Sequence, residues 1–222
     1  MTTSRHLMLD TETFSLAPNA FVWEVGLMPF TLDISDGGMF VGMGEAVRLV
    51  LNPFRHHADR IDAGTVKWTQ ETRKDDAAAL AMCGVAFGEY AASQKYVVRK
   101  IVEHSGVEWM ETVGELVELI SDVLDAQVPV GGVNGNYYVW ARNAAFDFPI
   151  LDNLFTGAGL KLPWHRRQQC CVYTAQNMAL MQGFIPEVAP KTKHQAAEDC
   201  EKQVQEVIAS LAYLHNLGVA YV

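Results

Sequence analysis

Residues 5–10 form a short apolar run in which Leu7 and Leu9 share one side, the pattern of a buried strand. Residues 21–34 and 39–51 are two longer, partly alternating apolar runs. Between them, Ser35-Asp36-Gly37-Gly38 is a hairpin turn signal, because glycine takes positive φ at little cost. The two runs are therefore predicted to be antiparallel neighbours. Asp62 stands where it can cap a helix over 62–76. Residues 77–108, alanine-rich and then charged, carry the weakest pattern. Over 109–126, Val113, Leu116, Val117, Ile120, Val123 and Leu124 recur at helical spacing and predict an amphipathic helix. Residues 131–136 (GGVNGN) read as a loop and 137–142 as a strand. A helix is expected from about Asp147, with Pro149 in its first turn, where a missing N–H is no loss. Residues 168–173 read as a further strand and 174–181 as a helix. A last helix runs over 196–217, with Val204, Val207, Ile208 and Leu211 on its buried face. A hairpin followed by strand–helix alternation predicts a mixed sheet with helices on its faces.

Composition narrows the picture. A chain of 222 residues buries about 70% of its unfolded surface. No linker-like stretch divides it, so one domain over 1–222 is expected, with 77–108 as a candidate insertion or lid. Half of the residues are hydrophobic and 19% are charged, the balance of a soluble globular protein. The longest apolar run, 77–88, is too short to span a bilayer and is stopped by Glu89. No signal-peptide pattern opens the chain, and a cytoplasmic protein without membrane contact is expected. Cys83, Cys170, Cys171 and Cys200 form no CxxC pair and read as reduced, buried small side chains. The net charge of −9 argues against a broad basic face for duplex DNA. It does not exclude nucleic acid at a short metal-filled site, since bound cations invert the local sign.

Three clusters could carry chemistry. Asp10 and Glu12 close the first strand, and residues i and i+2 of a strand share a face. Two adjacent carboxylates repel unless a cation lies between them, and a hard dication such as Mg²⁺ or Mn²⁺ suits oxygen ligands. The pattern alone also fits a solvated strand end. A second copy, Asp199 and Glu201, falls in a helix, which sends the two to different sides. Asp147 follows a strand and opens a helix, which equally fits an N-cap, and Asn143 just before it fits a plain turn. His194 and Asp199 are five residues apart, about 140° around a regular helix. They share a pocket only if His194 lies on the loop before the helix and Asp199 in its first turns. The similar pair His57 and Asp62 is better explained by Asp62 as a helix cap.

Taken in order, LDTET, NAAFDFPIL and HQAAED resemble the three motifs of the DnaQ-like, DEDDh-type 3′→5′ exonucleases of the ribonuclease H-like superfamily. VWEVGLMPF (residues 22–30) is similar to that family's second strand. DAGTVKWTQETR (62–73) and LPWHRR (162–167) look like segments of its phage and mycobacterial branch. QQCCVYT (168–174) departs from that branch, where an Asp-x-Arg-Thr-like stretch is expected, and 77–108 is longer than the usual connection.

The resemblance implies an α/β, ribonuclease H-like fold. Its sheet has five strands in the order 3-2-1-4-5, the second antiparallel, with helices on both faces. It implies that Asp10, Glu12, Asp147 and Asp199 hold two Mg²⁺ or Mn²⁺ ions and that His194 is the general base. The 3′-terminal phosphodiester of a single-stranded nucleic acid would be cleaved to release a nucleoside 5′-monophosphate. Thr13, Phe14 and Asn143 are expected substrate contacts, with Lys191 and Lys193 reaching a backbone phosphate; Phe14 equally fits core or rim packing, and the two lysines a solvated loop. Trp68 and Trp164 fit either core packing or base stacking, and His165, Arg166 and Arg167 a solvated turn or a strand contact. The branch includes homodimers. A catalytically weak binding subunit of the same fold and a small-nucleotide phosphohydrolase are the alternatives. A P-loop reading of GGVNGN fails for want of its Lys and Ser/Thr.

Overall fold

The computed structural model describes residues 2–35, 38–54, 60–126, 137–185 and 194–217. Lys191, Lys193, the 131–136 loop, the Asp36–Gly37 turn and His57 lie outside the described residues.

Strand β1 (Thr2–Thr13) is longer than its apolar run and carries both acids of the first motif. It pairs antiparallel with β2 (Val22–Ser35), so that Asp10 lies opposite Gly26 and Glu12 opposite Glu24. The register shifts between Glu12 and Thr13, a local irregularity of the kind that re-aims side chains beside functional sites. The expected third strand is two pieces, β3 (Gly38–Met43) and β4 (Val47–Leu51), both antiparallel to β2. Ser35 pairs with Gly38, as the hairpin signal predicts. The break faces Pro29, whose carbonyl accepts from Gly44 N at 2.9 Å. Proline has no N–H to return on that side, so the ladder is interrupted there.

Strand β5 (Glu108–Met110) adds a short parallel edge beside β4. This corrects the helix expected from Trp109: α4 starts only at Val113 and ends at Ala126. The delay has a local cause, because Thr112 Oγ1 accepts from Glu115 N and the Glu115 carboxylate accepts from Glu111 N. Strands β6 (Tyr137–Ala141) and β7 (Gln169–Cys171) run parallel to β1 on its other side. The sheet order is β5-β4-β2-β1-β6-β7, with β3 also on β2. With the added edge strand β5 set aside, β4-β2-β1-β6-β7 show the expected 3-2-1-4-5 arrangement, antiparallel at β2.

Helices cover both faces. Leu7 and Leu9 pack with α4 and with α5 (Ala144–Gly157) in one core cluster. Met8, on the opposite side of β1, packs with α6 (Val172–Met181) and α7 (Ala196–Asn216). Asp10 and Glu12 continue the Met8 side, so strand alternation alone aims them at α7. A third cluster joins Phe14, Trp23, Val50 and Trp109 to α1 (Ala63–Thr72), α2 (Ala77–Ala86) and α3 (Lys95–His104). Residues 77–108 thus supply α2, α3 and the first residue of β5, with Ala78, Met82, Val98 and Val102 fully buried. Among the described residues no helix is long and apolar enough to cross a membrane.

Candidate active site

The carboxyl ends of the parallel strands β1 and β6 lie side by side, the usual location of a site in an open α/β sheet. Three elements deliver acids there. β1 brings Asp10 and Glu12, and α5 brings Asp147. That helix starts three residues earlier than expected, because Asn143 O accepts from Phe146 N and Asp147 N. Asp147 is therefore not a cap, and Pro149 falls in the second turn rather than the first. Buried, Asp147 accepts from Thr11 Oγ1 at 2.7 Å, on the side of β1 that faces α5. Asp199 is buried in the first turn of α7. One carboxylate oxygen each from Asp10, Glu12 and Asp199 lie within 4.8 Å of one another. Gln203, one turn further along α7, donates from Nε2 to Asp10 Oδ1 at 2.8 Å.

These acids strain against ionisation. Solvent touches one side of Asp10 and Glu12, yet burial, followed by the charge of Asp147, pushes the Asp10 carboxyl well above its ordinary range. Glu12 is raised by burial, then by Asp10 and Glu24, and Arg73 offsets only part of this. Asp147 is raised by burial to about 6, against the Thr11 hydrogen bond that favours its anion. A set of oxygen donors that the protein leaves so poorly neutralised fits hard dications, which favour such ligands and lower carboxyl pKa values.

The other expected site residues divide. His194 stands on the approach to α7, exposed, with a left-handed φ of 54°. Its ring meets the half-exposed Trp68 of α1 edge-on at 4.9 Å. Left-handed backbone is uncommon outside glycine and clusters at functional positions. Asn143 is exposed at the start of α5 and its side chain makes no cap hydrogen bond. Thr13 is buried, its hydroxyl donating to Ser15 O at 2.7 Å. Phe14 has no exposed surface and stacks on Phe21 and Trp23. The structure gives it a core role, because its ring is covered by protein. Trp164 is likewise buried, against Phe148 and Phe155.

A second charged group adjoins the acids, and the sequence motifs do not announce it. Fully buried Glu24 accepts through Oε2 from Arg48 Nε (2.9 Å) and Nη2 (2.6 Å) and from Arg73 Nη2 (2.9 Å). Asp76 Oδ2 accepts from both arginines at 2.5 Å. Its Oδ1 caps α2 through Ala78 N and Ala79 N. Burial works to raise Asp76, but Arg73 and Arg48 outweigh it and hold the carboxyl low.

The sequence model of the Rv2179c-like family, described as a 3′-5′ exoribonuclease Rv2179c-like domain, matches residues 5–211. No curated protein sequence matches the chain. Among solved structures, cell-death related nuclease 4 (CRN-4) is similar over 97% of this chain and 64% of its own, at 14% identity and a TM-score of 0.55. A moderately thermophilic exonuclease I from Methylocaldum szegediense is similar over 96% of this chain and 40% of its own, at 13% identity and a TM-score of 0.49. The likeness to CRN-4 shows a shared fold, and the chain spans less than two thirds of either structure.

Proposed function

The chain belongs to the Rv2179c-like 3′-5′ exoribonuclease domain family, and from that membership we propose that it is a metal-dependent 3′→5′ exonuclease acting on single-stranded ends. One exonuclease domain would span the chain. The observation that carries the metal is the convergence of Asp10, Glu12 and Asp199 oxygens within 4.8 Å, with Asp147 close enough to raise Asp10 further. These four residues would hold two Mg²⁺ or Mn²⁺ ions. Bound there, the ions would supply the positive charge that draws in an anionic phosphodiester and offsets the charge that builds on its oxygens.

The chain's own groups would do the rest. His194, exposed just before the helix that carries Asp199, would accept a proton from the attacking water. The water oxygen bonds to phosphorus as the P–O3′ bond breaks, and the departing 3′-oxygen takes a proton from solvent, so the shortened strand ends in a 3′-hydroxyl. The product is a nucleoside 5′-monophosphate. Asn143 and Thr13 would line the terminal nucleotide, and Lys191 and Lys193 would meet a backbone phosphate. A site that takes a single free end needs few phosphate contacts, which reconciles nucleic acid with a net charge of −9. The family's description favours RNA over DNA as the substrate.

Matched 5′-labelled RNA and DNA oligomers, incubated with Mg²⁺, Mn²⁺ or EDTA, test this. Stepwise shortening from the 3′ end that stops with EDTA is expected, faster on RNA. Undiminished shortening in EDTA, or products from internal cuts, would overturn it.

A further inference from the structure

Glu24, Arg48, Arg73 and Asp76 form two acids against two guanidinium groups, drawn from β2, β4, the end of α1 and the start of α2. Buried ion pairs of this kind stabilise a fold little better than apolar side chains would. Their placement therefore asks for another reason. We propose that this quartet is the positioning unit for the start of α7, setting Asp199 and His194 against the acids of β1; the inference rests on the reading of that site given above.

The carboxylate of Glu24 is used from both ends. Oε2 holds the two arginines, and Oε1 accepts from Ala196 N, the first N–H of α7, at 2.8 Å. The first N–H groups of a helix have no partner within it, so this bond anchors the helix end directly. Gly26, two residues along β2 and opposite Asp10, removes the remaining obstacle. A Cβ there would stand 2.3 Å from the carbonyl carbon and oxygen of Ala196. The first turn of α7 consequently rests on the bare backbone of β2 beside Asp10, which brings Asp199 within reach of it. Gln195, between His194 and the helix, donates to Asp76 Oδ2 at 3.4 Å. Trp68, the edge contact of His194, sits on α1, whose C-cap is Arg73. These contacts, which fix the 194–199 segment from the α1 side, all lead back to the quartet or to the helix that ends in it.

Glu24→Gln is the sharpest variant. It keeps the shape, but an amide cannot accept hydrogen bonds at both ends, so it fails either the arginines or Ala196. Asp76→Ser keeps an oxygen to cap α2 while removing the acceptor for the arginines and Gln195. Gln195→Ala removes one bond at the surface. These and Asp199→Asn are compared with the parent by thermal midpoint, by affinity for Mn²⁺ alone, and by kcat and KM on a single-stranded oligonucleotide well below the lowest midpoint. The expected result is a loss of about 10–100-fold in Mn²⁺ affinity and kcat for Glu24→Gln and Asp76→Ser, with KM nearly unchanged, and a smaller loss for Gln195→Ala. If they lower the midpoint but keep parental kcat and Mn²⁺ affinity, the quartet is purely structural and the inference falls. Should Glu24→Gln fail to fold, Asp76→Ser and Gln195→Ala decide by the same criterion. Parental turnover in Asp199→Asn would instead overturn the reading of the site itself.

Discussion

Glu12 and Glu24 face each other across the β1–β2 ladder, but they live in opposite electrostatic surroundings. Glu24 is fully buried and grasped by two arginines and a backbone N–H. Glu12 is partly open to solvent and is crowded by Asp10 and Asp199. In the quartet, the guanidinium charges overcome burial and hold Asp76 ionised. In the acid cluster, burial and like charge win, and Asp10, Glu12 and Asp147 are all pushed up. The same residue type, one strand apart, meets guanidinium groups in one place and further carboxylates in the other. Glu24 has two arginines beside it and Asp10 has none, so in the proposed site the charge that ionised Asp10 lacks would have to come from a bound cation.

The largest effect should come from removing an acid of the open cluster. Asp10→Ala or Asp147→Ala is expected to cut turnover about 10⁴-fold or more, a barrier change of about 5.5 kcal/mol, while circular dichroism shows the fold intact. Near-parental turnover with added Mg²⁺ in either variant would dissolve the distinction between the two groups.

The balanced quartet should respond in stability instead. Arg73 is buried against Trp23, its guanidinium 4.7 Å from the ring centroid. Arg73→Ala leaves Glu24 and Asp76 to share Arg48 as their remaining cation in the quartet and should cost up to about 3–5 kcal/mol. Urea unfolding of Arg73→Ala beside Asp10→Asn measures the contrast without ions. The first should be clearly weakened and the second unchanged or strengthened.

A smaller effect follows from the raised carboxyls. Asp147 binds its proton up to about pH 6 when folded, against an ordinary 3.8. Its contribution to stability is therefore complete below about pH 4 and is lost as pH rises through 6. Asp10 and Glu12 act in the same direction. Mn²⁺ should recover that loss, adding about 1–3 kcal/mol more stability at pH 7.5 than at pH 5 at saturating ion, seen as a larger rise in thermal midpoint at the higher pH. An equal shift at both pH values would count against ion binding at these acids.

A pH effect of opposite sign sets a bound on the last. At the far end of β1, His6 is enclosed by Phe30, Tyr138 and Trp140, accepts from Trp140 Nε1 at 2.9 Å, and pairs with Ser4 Oγ at 2.8 Å. Burial lowers its pKa to about 3. Being depressed, it adds stability above pH 6.5 that is lost as pH falls towards 3, opposite in sign to the acid cluster, with a slope of up to about 1.4 kcal/mol per pH unit. His6→Gln keeps an acceptor for Trp140 and should flatten the acid limb of the stability profile. An unchanged limb would assign that limb to carboxylates alone.

Much of this was legible in the chain. The 35–38 hairpin, the Asp62 cap (Thr65 N to Oδ1, 2.8 Å) and the last helix follow from patterns within a dozen residues, whereas the strand order comes from the family resemblance. Helix geometry makes His194 before α7 and Asp199 in its first turn the condition for their sharing a pocket, and both stand in those positions. What escaped is non-local. Trp109 reads as helical by spacing, but its pairing with Val50 across the sheet overrides that. Asn143, not Asp147, starts α5, because boundaries depend on which carbonyl accepts first. Glu24, Arg48, Arg73 and Asp76 share no local pattern, and only an acid in the middle of the apolar second strand hints at a buried partner. Phe14 follows a motif that suggests a nucleotide contact, yet the packing of Phe21 and Trp23 encloses it.

The central claim is that the open acids await cations, and titrating the protein with Mn²⁺ at pH 7.5 tests it most directly, parent beside Asp10→Asn and Asp199→Asn. Saturable binding by the parent, sharply weakened in both variants, is the predicted result. No saturable binding by the parent, or the same affinity in all three proteins, would contradict it.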